Sequence, residues 1–231
     1  MSSIPPSSAE REGTIWPAGE RVGCWHCGTE HSPSLFCPAC KAIQPLPDQA
    51  DYFQVLGLPR RLVVDMQALQ KRYYELHRCL HPDRYQTGPQ EARQASLRNT
   101  AAVNRAYRTL RDPTDRGLYW LTLRGESLGA GNNQVPADLA ALVFELQEQL
   151  EELRAARRGN GAVQLVQEVA ACHTELLQRQ SALLQQLGQN FVRWDTDEAD
   201  TAALTRELKA ILSALAYLGT LIRDVEKELE I

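Results

Sequence analysis

No run of eighteen apolar residues occurs in the 231 positions of this chain, so no membrane span is expected. The opening residues, MSSIPPSSAEREGTIWPAGE, hold no apolar core of the kind a secretory signal needs. Arg11 and Arg21 are offset by Glu10, Glu12 and Glu20, which makes a poor mitochondrial leader. Rich in Pro, Ser and Glu and without apolar periodicity, residues 1–20 are expected to be disordered. The expected location is the cytoplasm of a bacterium, with the mitochondrial matrix, for a processed form, as the alternative. There is no Gly-rich loop to cradle phosphate, no nucleophile–base pair and no open metal site, so nothing supports an enzyme. Cations are scarce near the start. Lys41 is the only one between Arg21 and Arg60, too few to follow a nucleic-acid backbone.

What charge there is lies unevenly. Residues 1–50 carry 3 Lys/Arg and 5 Asp/Glu, residues 51–135 carry 13 and 8, and residues 136–231 carry 9 and 16. A basic middle and an acidic tail argue for two partner surfaces and against one nucleic-acid stripe.

The basic middle centres on KRYYELHRCLHPDRY, residues 71–85. Met66, Leu69, Tyr73, Leu76 and Leu80 are spaced as one helical stripe, with Asp65 as its N-cap. Lys71, Arg72, Glu75 and Arg78 fall off the stripe and are expected to face solvent. Pro82 disfavours helix at His81, so the helix should stop there in a tight turn. A second helix returns from about Pro89 to Arg111 on Ala95, Ala102, Val103, Ala106 and Leu110, and Asp112-Pro113 ends it. Two antiparallel helices thus present His81-Pro82-Asp83 at their tip.

Before this hairpin, Cys24-x2-Cys27-x9-Cys37-x2-Cys40 reads as two thiolate pairs for one ion, with Gly28 and Pro38 suiting the turns. Four thiolates fit tetrahedral zinc in a closed, structural site. Disulfides and a rubredoxin-like iron site are the alternatives. Two matched pairs speak against a thiol-redox enzyme. His26 and His31 are expected to be exposed, Trp25 and Phe36 to pack around the metal, and Cys79 and Cys172 to be ordinary reduced thiols. Residues 41–50 read as a short Pro-containing linker.

After Pro113, DRGLYWLTLRG stays helical to Gly125, with apolar surface suited to docking the hairpin against the C-terminal part of the chain. Residues 125–135 read as a flexible loop. Three helices then form an antiparallel bundle. The first spans about 136–157, starting at Pro136, on Leu139, Leu142, Val143, Leu146, Leu150 and Leu153. The second spans about 160–188 on Leu165, Val169, Cys172, Leu176, Leu183 and Leu187. The third spans about 197–229 on Leu204, Leu208, Ile211, Leu215, Leu218, Ile222, Val225 and Leu229. Phe144 and Tyr217 lie off these stripes beside small residues, which suggests a shallow apolar docking surface. The fold class is therefore mainly α. Its units are a small tetracysteine zinc module at 21–45, a helical hairpin within 51–124 and a three-helix bundle at 136–231.

The hairpin with DYFQVLGLP before it and NTAAVNRAYRTLRDP after it resembles the J-domain. That resemblance implies contact with a DnaK- or HscA-type ATPase through Lys71, Arg72, Arg78, His81, Pro82 and Asp83, none of which performs chemistry itself. With the junction GLYWLTLRG, the bundle and the tetracysteine module, the chain resembles HscB, the iron–sulfur co-chaperone. The resemblance implies an IscU-type scaffold held on Ala140, Ala141, Phe144, Glu145, Glu148 and Tyr217. Ala140 and Ala141 stand where that family usually has larger aliphatic residues. A J-domain co-chaperone for a different client is the alternative. The chain is expected to be a monomer or weak dimer, with no nucleic acid or membrane among its partners.

Overall fold

A computed structural model describes residues 21–129, 140–156, 162–196 and 200–230. The chain divides into two compact units, one ending at Asp112 and the other beginning at Pro113.

The first unit opens with a two-stranded antiparallel ribbon, β1 (Val22–Gly23) and β2 (Glu30–His31). It carries the first Cys pair on its turn. A single bridge between Phe36 and Ile43 closes the hairpin of the second pair. Helix α1 (Tyr52–Leu56) has only five residues and depends on its ends. Asp51 and Gln54 cap it reciprocally, Gln54 N donating to Asp51 Oδ1 and Asp51 N to Gln54 Oε1, both at 2.9 Å. Gly57 closes it at φ 66°. Arg72 donates Nε to the Leu56 carbonyl at 3.0 Å. Phe53, Val55 and Leu56 are thereby set into the core.

Helix α2 (Met66–Leu80) begins at the expected cap, with Asp65 accepting from the amides of Gln67 and Ala68. Leu69, Leu76 and Leu80 are buried as the stripe requires, and Tyr73 stacks on Tyr107 at 4.1 Å between ring centroids. Met66 departs from the stripe and is exposed. It sits in the first helical turn, ahead of the point where the neighbouring helices cover α2. Arg72 and Glu75 depart the other way. They pair at 3.6 Å and are half-buried, because Arg72 is drawn onto the end of α1. Helix α3 (Gln90–Arg111) buries Ala95, Val103, Ala106 and Leu110 as expected, with Ala102 at the margin. Ala92, Ser96 and Asn99 are buried as well.

Residues 41–50 are more than a linker. Ile43 and Gln44 are buried. Asn99 on α3 grips the main chain on either side of Pro45, donating Nδ2 to the Gln44 carbonyl at 2.8 Å and accepting from Leu46 N at 3.1 Å. Arg98 adds an ion pair to Asp48 at 2.8 Å.

The second unit comprises α4 (Pro113–Leu123), α5 (Ala140–Ala156), α6 (Ala162–Trp194) and α7 (Thr201–Leu229). Val143, Leu146, Leu150, Leu153, Val169, Cys172, Leu176, Leu218, Ile222 and Val225 form the core of the three long helices. Leu139 and Pro136, and the side chain of Leu142, lie outside the described residues. Pairing of His173 with Glu226 and of Arg193 with Glu207 shows α6 and α7 running antiparallel. Helix α6 runs to Trp194, past the expected end near 188. Gly188 faces open space and keeps its helical turn, while Asn190 and Phe191 beyond it are buried. Helix α7 begins at Thr201, where Asp200 caps the amides of Ala202 and Ala203. Helix α4 packs on α6 and α7. A Cβ on Gly117 would stand 3.2 Å from Leu212 and 3.4 Å from Phe191, so glycine permits the approach. Trp120 meets Trp194 edge to face at 5.9 Å. Arg116 covers the Phe191 ring at 5.3 Å and Arg124 covers Trp194 at 4.8 Å.

Candidate functional site

The four cysteines converge as their spacing predicts. Their Sγ atoms all lie within 4.8 Å of one another. Cys24 and Cys40 are 3.6 Å apart and Cys27 and Cys37 are 3.8 Å apart. A tetrahedral ion with bonds of about 2.3 Å to sulfur requires separations of about 3.8 Å, so the cluster fits one ion. Those separations are far longer than the roughly 2.05 Å of a disulfide. All six cysteines of the chain are free thiols.

Two copies of one turn build the centre. Cys24 N donates to Thr29 O and Gly28 N to Cys24 O. In the second pair Cys37 N donates to Ala42 O and Lys41 N to Cys37 O. The residue after each pair therefore has positive φ, 74° at Gly28 and 61° at Lys41. Glycine takes the left-handed position of the first turn, whereas in the second, which Pro38 marks in the sequence, a lysine takes the strained conformation. Contact of Cys27 Sγ with Thr29 Oγ1 at 3.3 Å, together with the Thr29 backbone, holds the Cys27 thiol down to about 6. Burial works against Cys24, but hydrogen bonds from the backbones of Cys27 and His26 outweigh it and lower that thiol too. At Cys40 the Ala42 backbone lowers the pKa, but burial and the three neighbouring sulfurs push it up to about 12.

His26 is exposed as expected, and forms an edge contact with Trp25. His31 is buried, against expectation. It ends β2, and its ring turns inward so that Nδ1 bonds the Ser32 carbonyl at 2.7 Å. Trp25 donates Nε1 to the Ile43 carbonyl at 2.6 Å, tying the first turn to the second hairpin.

At the other end of the unit, His81-Pro82-Asp83 forms the start of a 3-10 turn, Pro82–Tyr85. His81 Nδ1 accepts from Asp83 N at 3.4 Å and lies 3.5 Å from an Asp83 carboxylate oxygen. Asp83 also accepts from Gln86 Nε2 at 3.0 Å. The carbonyls that α2 leaves open at its end are filled from outside the helix. Tyr85 donates to Cys79 O at 3.0 Å, and Ser96 and Thr100 of α3 donate to Leu80 O at 2.6 and 3.0 Å. The tip is braced from behind, and Asp83 is exposed in front.

Lys71 and Arg78 are exposed two helical turns apart on one face of α2. Arg72 is not on that face, because its guanidinium is spent on Leu56 and Glu75. Tyr74, 60% exposed, stands between Lys71 and Arg78. Sequence reasoning missed it, although its i+3 and i−4 spacing to those cations was a usable signal.

On α5, Phe144 is 72% exposed and Glu145 and Glu148 are exposed beside it, while the adjacent Val143 is buried. The side chains of Ala140 and Ala141 lie outside the described residues. Tyr217 is partly buried and packs against the bundle core rather than standing clear of it. On its off-stripe face of α7, Ala210 is exposed, Ala214 is half-buried and only Leu221, at 8% exposure, is buried.

Residues 51–119 match the DnaJ domain family. The chain is 31% identical over 140 residues to an iron-sulfur cluster co-chaperone protein HscB homolog of Arabidopsis thaliana, covering 61% of this chain and 55% of that one. It is 33% identical over 150 residues to the iron-sulfur cluster co-chaperone protein HscB of Homo sapiens, covering 63% and 62%. The matched stretch thus spans less than two thirds of either relative. The crystal structure of human co-chaperone protein HscB superposes with a TM-score of 0.64 at 25% identity, covering 91% of this chain and all of that one.

Proposed function

We propose that the chain belongs to the HscB family and is a co-chaperone of iron–sulfur cluster biogenesis. It stimulates a DnaK- or HscA-type ATPase through its J-domain and brings an IscU-type scaffold on its helical bundle. Its four cysteines hold one structural zinc ion. The working compartment is the bacterial cytoplasm, or the mitochondrial matrix for a processed form.

The observation that carries this reading is the braced tip. His81-Pro82-Asp83 ends α2 with its geometry fixed from α3, beside exposed Lys71, Tyr74 and Arg78. Cations in a row steer an acidic partner surface. A presented carboxylate accepts charge-assisted bonds from a partner's Arg or Lys. The residues of the tip position a partner and do not transform a substrate. For the scaffold, support comes from Phe144 with Glu145 and Glu148, an exposed aromatic rimmed by acid.

Steady-state ATP hydrolysis by a DnaK-type chaperone, with this protein added and with or without an IscU-type scaffold, tests the proposal. Synergy is expected, lost in His81→Gln and reduced in Phe144→Ala with no loss of folding. Absence of any stimulation would remove the reading. Stimulation indifferent to scaffold favours a J-domain co-chaperone for another client. Tyr217 is partly covered where it packs against the core, which leaves less of it for a scaffold face and gives that reading some weight.

A further inference from the structure

A polar path runs from the tetracysteine centre through the body of the J-domain to its tip. Gln44 is 3% exposed and Asn99 is fully buried. Gln44 Nε2 lies 3.3 Å from Cys24 Sγ, 3.0 Å from Ala42 O and 3.2 Å from Ile43 O. Three acceptors around one atom fix the amide nitrogen on that side and make it a donor to the Cys24 sulfur. The main chain of Gln44 faces two ways. Its N–H donates to Leu35 O at 2.9 Å within the second cysteine hairpin. Its carbonyl accepts from Asn99 of α3. Less than one turn along α3 on either side, Ser96 and Thr100 hold the Leu80 carbonyl, the last before His81-Pro82-Asp83.

We propose that Gln44 and Asn99 are positioning residues for the metal centre, and that through them metal occupancy is coupled to the order of α3 and the His81-Pro82-Asp83 tip. The chemistry is directional. A sulfur bound to a cation keeps its negative charge, and an amide N–H stabilises that charge and orients the ligand. Loss of the cation releases the four sulfurs from one another, so that Cys24 Sγ is no longer held where it keeps Gln44 turned inward. The hairpin arm at 42–46, which Asn99 grips, then loosens. Coupling of this kind is reciprocal, so loosening Asn99 weakens metal retention by the same factor that metal removal loosens α3. The inference rests on the metal reading of the four cysteines. Stoichiometric zinc uptake by the unaltered chain is the control that separates failure of that reading from failure of this one.

The test uses the full chain in two ways. Zinc affinity is measured by competition with a chromophoric chelator for the unaltered chain, Gln44→Met and Asn99→Ala. Met keeps the volume and the backbone bonds of residue 44 and deletes the amide N–H groups directed at Cys24 Sγ and at the Ala42 and Ile43 carbonyls, so packing alone leaves its affinity unchanged. About tenfold weaker retention is expected for each variant. Hydrogen exchange is then compared between zinc-loaded and zinc-free unaltered chain. Faster exchange is expected without zinc at residues 96–104 and 80–85, alongside the module itself. This arm needs no variant and stands if Asn99→Ala does not fold. Affinities of Gln44→Met within twofold of the unaltered chain, or exchange at α3 and the tip indifferent to zinc, would overturn the proposal.

Discussion

Lys41 is the one residue between the two cysteine hairpins and the next helix that holds a left-handed backbone without being glycine. For an ordinary residue that conformation costs roughly 1–2 kcal/mol, part of which glycine gives back as extra freedom in the unfolded chain. Lys41→Gly should raise the stability of the metal-loaded module by a few tenths to about 1 kcal/mol, and Lys41→Val should lower it. Thermal unfolding at fixed zinc checks both. Arg72 is the second residue whose role the structure redirects. Its Nε serves the Leu56 carbonyl, and its guanidinium lies 3.3 Å from where a Cβ on Gly57 would stand. Arg72→Ala should cost about 1.5–3 kcal/mol, the range for a hydrogen bond to a charged donor. Arg72→Lys should not restore it, because an ammonium cannot reproduce the planar fork. Were denaturant midpoints equal for Arg72→Ala and the unaltered chain, the guanidinium would belong to the partner surface after all.

Helix α2 and the long bundle helices were readable from residue spacing, because one buried side leaves a 3-4 pattern of apolar residues. The scheme failed where a helix buries polar side chains or more than one side. On α3, Ser96 and Asn99 continue the buried line set by Ala92 and Val103, at steps of four and three, so the line was present but written in hydroxyl and amide. Counting apolar residues alone left them out. On α7 the neighbours bury Leu212 and Leu221 beside the main stripe, which is why Tyr217 looked misplaced in sequence and is half-covered in the fold. The convergence of the four cysteines was fully legible, since their paired spacing brings them together. The grip of α3 on the segment after them was not, since Gln44 and Asn99 stand 55 residues apart. Ser96 and Thr100 together fill the Leu80 carbonyl. Ser96→Ala with Thr100→Val should therefore cost about 1–3 kcal/mol, the desolvation penalty of an acceptor left unpaired. Faster amide exchange at 81–85 is expected, with the exchange of α6 and α7 unchanged.

At the scale of the chain, the first unit, on the proposed zinc reading, draws on a metal and the second on apolar area. The tetracysteine module buries only Cys24, His31, Pro33, Cys37, Ile43 and Gln44, so on the proposed reading ion binding supplies most of its stability, about 10–16 kcal/mol in small structural zinc sites. The pH sign follows from the thiols. Cys27, at about 6, is already ionised at a pH of about 7.5. Zinc uptake there should release fewer than four protons, a count obtained by calorimetry in two buffers of different ionisation enthalpy. A folded-state pKa below the free thiol value makes the contribution fully present above the ordinary thiol value of 9.0, already reduced at neutral pH and lost as the pH falls through about 6. Acid or a chelator should therefore unfold the module while α5, α6 and α7 keep their helical signal in circular dichroism. The bracing of Leu80 and Cys79 by α3 and Tyr85 has a thermodynamic consequence for association. A tip that is already frozen surrenders little conformational entropy when it docks, where each mobile side chain ordered on binding costs about 0.5–1.5 kcal/mol. Encounter with the proposed ATPase partner can then be brief and weak in area yet geometrically selective, its rate set by diffusion and charge rather than by a folding step.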